Sequence, residues 1–444
     1  MTRTRWVALT WIVISCGLSA LWGLSLMRTP AILMVDFKAY YYTTRCLLQH
    51  SDPYKPGEPL RVYLEEGNTL PQSSDGLQRV LTIDPNLPTT YILIAPFAML
   101  PWGIAHLLWR DLAAGGLILA AFLMWNLARK HSPGVSLFLI CFVLANCGVI
   151  YATGNSAGIV VSLCVVAVLC LLEEQFIWVG ILCLAASLAI KPHDAGLVWL
   201  YFLLAGGTHR KRALQTLLVT AILGLAAILW VTPIAPNWMQ ELHSNIMADQ
   251  LPGGINYPGP GNTTSSGPNI IIDLQSAVSV FRNDPRIYNS VSYLVCGALL
   301  LVWVVRTLRS RFSQANAWLA LAAAAPITLL VTYHRPHDAK LLLLAVPGCA
   351  MLWAGGGLIR WLALLVTSAA IVFTADIPLA FLWIFIKNLH ISTAGLSGQI
   401  ETVVLTRPTQ LTLLVMGIFY LWIYLRHEPA RTATAEPAGL RCRL

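Results

Sequence analysis

Seven consecutive positions, His334-Arg335-Pro336-His337-Asp338-Ala339-Lys340, set five ionisable side chains between runs as apolar as lipid tails. Four of the five can carry positive charge and only Asp338 opposes them, so this turn predicts a partner that is negative. Phosphate fits that demand: arginine offers a planar fork to two oxygens, lysine a point charge, and histidine a donor that can also move a proton. Arg335, His337 and Lys340 are the candidates here. Three other chemistries share the pattern: a metal site from the His334-x-x-His337 pair with Asp338, a proton relay in a transporter, and a belt of charge at a membrane interface.

Two further turns carry comparable groups. In "AIKPHDAG" (189–196), Lys191, His193 and Asp194 lie at a break between apolar runs, with Pro192 placed to open the next helix. Lys191 is a fourth candidate for phosphate, although a lysine there can also snorkel to headgroups. In "GNSAG" (154–158), Asn155 can bind a sugar hydroxyl or a phosphate oxygen, or cap the helix that follows. The stretch "VDFKAYYYTTRCLLQHSDPY" (35–54) begins with Asp36, about nine residues past the first apolar run and beside Phe37, Tyr40, Tyr41 and Tyr42. An acid so placed can exchange a proton with a reacting hydroxyl; the competing role is a plain helix-start aspartate. Asp84 is a second candidate acid.

The elements that must position these turns are helices in a bilayer. The 444 residues are 57% hydrophobic and 11% charged, with a mean hydropathy of +0.67, which excludes an ordinary soluble domain. Several runs reach the roughly 20 residues that cross a bilayer as helix. No alternating pattern predicts a membrane β-barrel. Lys/Arg-rich connections at 2–5, 128–131, 208–212 and 306–311, and the tail from Arg426, predict cytoplasmic ends.

With these constraints the chain is an all-α polytopic membrane protein with about twelve transmembrane helices. The spans fall near 6–27, 102–128, 133–151, 156–172, 175–190, 193–207, 213–232, 288–305, 313–333, 338–355, 358–376 and 408–425. The short run 88–100 is assigned as a re-entrant or interfacial helix. One integral-membrane domain then covers 1–426, with outer segments at about 28–101, 233–287 and 377–407, and a disordered cytoplasmic tail at 427–444. The candidate turns all emerge on the outer side. Among the expected outer segments only Cys46 is a cysteine, so no external disulfide framework is expected. The formal net charge of +9 is explained by membrane anchoring, and no nucleic-acid partner is expected.

The ordered series Asp36, "DPY", "PTTYILIAPFAMLP" from Pro88, "GNSAG", "IKP" and "YHRPHD" resembles the polyprenyl-phosphate-sugar-dependent glycosyltransferases of family 87, which have the GT-C architecture and include mycobacterial mannosyltransferases. The resemblance spans most of residues 30–350; the final third matches only as apolar spans. It implies a catalytic aspartate at Asp36 and a histidine near the reacting groups at His334. Lys38, Tyr40, Asn155, His193 and Asp338 are expected at the sugar or acceptor. The donor the resemblance implies is a polyprenyl-phosphate sugar, carrying mannose or another sugar, and the implied acceptor a membrane lipid or glycan. No cofactor and no obligatory metal are expected, and the location implied is the outer face of a bacterial plasma membrane. The sequence departs from the family pattern at Pro88-Thr89, where Pro-Pro is usual, and at Asn155, where glutamine is common. Both departures bear on substrate identity. The alternative reading is a lipid-linked-sugar flippase or a proton-coupled transporter.

Overall fold

The computed structural model describes residues 3–30, 32–71, 75–260, 271–388 and 395–427. It is 78% helix, with no strand among the described residues. In lipid, a helix satisfies every backbone group within one segment, so long apolar runs have little alternative. Among the described residues, eight helices are long and apolar enough to cross a membrane, and a ninth crossing results if Gly357–Val372 and Asp376–Ile386, bent by 71°, count as one. The chain is thus a multi-pass membrane protein, but twelve full crossings are not reached on length. Three of the expected spans are the helices Ala157–Leu172, Ile177–Ile190 and Pro192–Ala205, of 16, 14 and 14 residues. At 1.5 Å per residue these extend only about 24, 21 and 21 Å.

Burial sorts the helices into an inner and an outer set. Within Gln314–Val331, 83% of the apolar window is buried, against 17% within Gly207–Val231. The inner helix is rich in alanine, which lets neighbouring backbones approach closely. The outer helices turn Leu218, Leu229 and Leu294 outward, as a lipid-facing surface requires. The segments expected to be outer loops are largely helical: Val35–Leu48, Glu58–Glu65, Asp75–Thr82 and Pro88–Ala98 in the first, Trp238–Gln250 in the second, and Asp376–Lys387 with Gly395–Thr406 in the third. The expected re-entrant run is the 11-residue helix Pro88–Ala98, packed against Val35–Leu48, Ile177–Ile190 and Gly207–Val231. Beyond His427, the expected tail lies outside the described residues.

The basic turns gather at one end of the bundle. Arg212 pairs with Glu174 at 3.2 Å, Gln314 reaches Glu173 at 3.4 Å, and the rings of His209 and Phe312 lie 4.2 Å apart. Arg306 donates to the Tyr424 carbonyl at 3.0 Å, and His427 meets Asn316 at 2.9 Å. Asn155 and Lys191 stand at the opposite ends of the short helices that lead away from this basic end.

Candidate functional site

Four separate segments bring one polar array together. Asp36 lies in the first turn of Val35–Leu48, whose N-cap residue Met34 is held in the left-handed region at φ 53°. Gly154, with φ +68°, abuts this start: a Cβ there would fall 2.7 Å from both Met34 Cε and Phe37 Cβ. Met34 donates to the Ala152 carbonyl at 2.7 Å, and Trp109 Nε1 to the Gly154 carbonyl at 2.8 Å. The glycine of "GNSAG" is thus what allows the next residue, Asn155, to reach Asp36.

Asn155 bridges acid and base. Its Oδ1 accepts from the Ala157 amide at 2.9 Å, and an amide N–H can only donate, so Nδ2 must face Asp36 Oδ2 at 2.8 Å. The same Oδ1 accepts from Lys191 Nζ at 3.2 Å. Lys191 in turn pairs with Asp338 Oδ1 at 2.7 Å. Asp36, Asn155, Lys191 and Asp338 therefore form one continuous chain.

Local structure explains why Lys191 projects inward. The residue before a proline is pushed out of the helical region, and Lys191 sits at φ −138°, ψ 84° between two helices. The last carbonyls of Ile177–Ile190 lack intrahelical donors. Thr89 and Thr90 supply them, donating to Ala189 O at 2.6 Å and Ile190 O at 3.4 Å. This capping by residues a hundred positions away is missed in the sequence, where Thr89 reads only as a family departure and Thr90 carries no signal. Burial works against a charged Lys191, but the Asp338 and Asp194 carboxylates more than reverse it, and the ammonium is held raised.

The turn 335–338 is closed in both directions: Asp338 Oδ2 accepts from the Arg335 amide at 2.8 Å, and the Asp338 amide donates to Arg335 O at 2.9 Å. Arg335 lies over the Tyr333 ring, 5.6 Å from its centroid, and donates to Ile255 O at 3.3 Å. Its buried Nε has no partner among the described residues. His337 Nε2 is 3.7 Å from Asp338 Oδ1. Burial, with Lys191 and Arg335 nearby, lowers its pKa to about 4, so His337 is neutral at neutral pH and adds a donor, not a charge.

Several expected assignments fall elsewhere. Lys340 pairs with Asp376 at 3.5 Å in a separate buried site, because residues two apart on a 3-10 helix point about 120° away from each other. On the α-helix Val35–Leu48 two residues turn about 200°, which directs Lys38 away from Asp36. Lys38 lies 6.0 Å from the Trp102 ring centroid, and burial lowers its pKa. Tyr40, by contrast, is buried at the edge of the array, joined at 3.0 Å to Ser156, the neighbour of Asn155, and close enough to feel Lys191 and Asp36. His334 is fully buried beside Asp194, with Nε2 3.1 Å from Oδ1 and Nδ1 2.8 Å from the Thr332 carbonyl. Asp84 is buried, bonded to Tyr91 and to the Asn86 amide at 2.9 Å, which makes it a structural acid. With Lys340 elsewhere, His337 neutral and His334 facing Asp194, the cationic excess expected of the turn reduces to Arg335.

No protein-family model, curated protein or solved structure matches the chain.

Proposed function

We propose that the protein transfers a sugar from a polyprenyl-phosphate donor to an acceptor hydroxyl at the outer face of a membrane. The observation that carries this reading is the shared amide of Asn155, which holds the Asp36 carboxylate and the Lys191 ammonium on either side of one group. In the proposed reaction the acceptor oxygen forms a bond to the anomeric carbon as the carbon–phosphate-oxygen bond breaks. Asp36 takes the hydroxyl proton. Arg335, with its unbonded Nε, and Lys191 hold the departing phosphate. A single displacement of this kind inverts the anomeric centre. Incubating the purified protein with a panel of labelled polyprenyl-phosphate sugars and membrane lipid extract tests the proposal. Transfer from one donor, abolished by Asp36→Asn, is expected; no transfer from any donor by folded protein contradicts it.

One observation favours the transport alternative. Lys340 and Asp376 form a buried ion pair within apolar spans, as proton-coupled carriers use. Proteoliposomes separate the two readings: a carrier moves labelled lipid-linked sugar across the bilayer without an acceptor, and a transferase consumes donor only when acceptor is present.

A further inference from the structure

Beside the Asp36–Asp338 array lies a second cluster with a different unmet need. His334 Nε2 lies 3.1 Å from Asp194 Oδ1, and His193 Nε2 lies 4.0 Å from the same oxygen. The three donor atoms all fall within 4.8 Å of one another. Asp194 and His334 are both fully enclosed, at 0% exposure. Yet neither Asp194 oxygen nor His334 Nε2 has a hydrogen-bond partner among the described residues, so the 3.1 Å contact is close but not aligned as a hydrogen bond. His334 Nδ1 lies 2.8 Å from the Thr332 carbonyl. A carbonyl only accepts, so Nδ1 carries the hydrogen and Nε2 faces the carboxylate either as a bare lone pair or with a second proton. Two lone-pair-bearing atoms facing each other in a buried space repel unless a cation lies between them.

We propose that His193, Asp194 and His334 bind a divalent transition-metal cation, zinc foremost. Two imidazoles and one carboxylate are a usual set for zinc with an open position, and bonds of about 2.0–2.1 Å set such donors roughly 3.3 Å apart. Modest side-chain rotation brings the present spacing to that value. The imidazole-to-carbonyl contact of His334 is the outer contact that orients a metal-binding histidine. His193, whose side chain is 33% exposed, leaves the fourth position open to water. The neighbouring cation, Lys191, is neutralised by Asp338 at 2.7 Å. Bound here, the metal ties the Pro192–Ala205 helix to the 332–337 turn, the two segments that flank Lys191 and Asp338. This site is independent of glycosyl transfer and differs from the His334-x-x-His337 pair read in the sequence.

The test is metal content and titration on the full chain purified in detergent, stripped with chelator and re-titrated with zinc alone. Roughly one zinc per chain is expected, with affinity falling as pH is lowered because the ligands take up protons. Asp194→Asn and His334→Gln should each weaken binding at least about tenfold. His193→Gln, at the accessible edge, keeps the fold and should weaken it as well, whereas His337→Gln should leave zinc unchanged. Folded wild type that retains no zinc, or His193→Gln binding as wild type does, overturns the proposal and leaves a proton between His334 and Asp194 as the occupant.

Discussion

Two buried lysine–aspartate pairs stand at helix breaks in this molecule, and they differ in what surrounds them. Lys191 and Asp338 meet at 2.7 Å with the lysine side chain 11% exposed, and the contact continues through Asn155 to Asp36. Lys340 and Asp376 meet at 3.5 Å and are sealed, at 4% and 2% exposure. The second oxygen of Asp376 accepts from the Val149 amide at 2.8 Å, while Asn146 Oδ1 accepts from the Ile377 amide at 3.0 Å, so two broken helices close each other's ends. A charge pair that continues into further polar groups and has an opening can do chemistry; one sealed from both holds structure.

The largest predicted effect falls on the open array. Asp36→Asn keeps the volume and the Asn155 contact but removes the base, and transfer should fall by about 10²–10⁴ with donor-lipid binding retained. Next comes the sealed pair: Lys340→Met leaves Asp376 buried without its cation and should lower unfolding stability by about 3–5 kcal/mol, measured by denaturation in detergent. A Lys340→Met/Asp376→Leu double variant should recover much of that loss. If Lys340→Met instead weakens donor binding at unchanged stability, the contrast between the pairs fails.

Two smaller effects sharpen the comparison. Arg335→Lys keeps the charge but loses the fork, and donor affinity should weaken about tenfold in a binding titration. Thr89→Val removes the donor that caps Ala189 and should cost about 1 kcal/mol in stability while loosening Lys191. A pH effect accompanies them. Burial raises Asp249 to about 6, against the opposing pull of Arg79 and Arg335, and burial likewise raises Asp273 to about 6. A carboxyl raised by folding favours the protonated form, so its contribution to stability is lost as pH rises from about 4 through 6. The melting temperature should decline across that window, and Asp249→Asn should flatten the decline.

Residue type and turn position made Asp36, Asn155, Lys191 and Asp338 legible as candidates, because charge beside apolar runs needs a reason. Their wiring was not legible. Asn155 lies 119 residues from Asp36 and 36 from Lys191, and only packing at Gly154 shows that one amide serves both. Lys38 and Lys340 lie close to Asp36 and Asp338 in sequence but not in space, because helical geometry turns residues two apart to different sides. Hydropathy found the apolar runs and the break at Lys191, but not the one at Asn146, which ends Pro133–Ala145 early and turns its side chain to the Ile377 amide. The orphaned Asp194–His334 contact also needed coordinates, since 140 residues separate its partners in the chain.

The central claim is that Asp36 and Lys191 act on one donor as a unit. A double-mutant cycle on the transfer rate tests it most directly, using wild type, Asp36→Asn, Lys191→Met and the combination. The account predicts two large single losses and a combined loss far smaller than their product. Losses that multiply in full, or single variants that transfer sugar as wild type does, would contradict it.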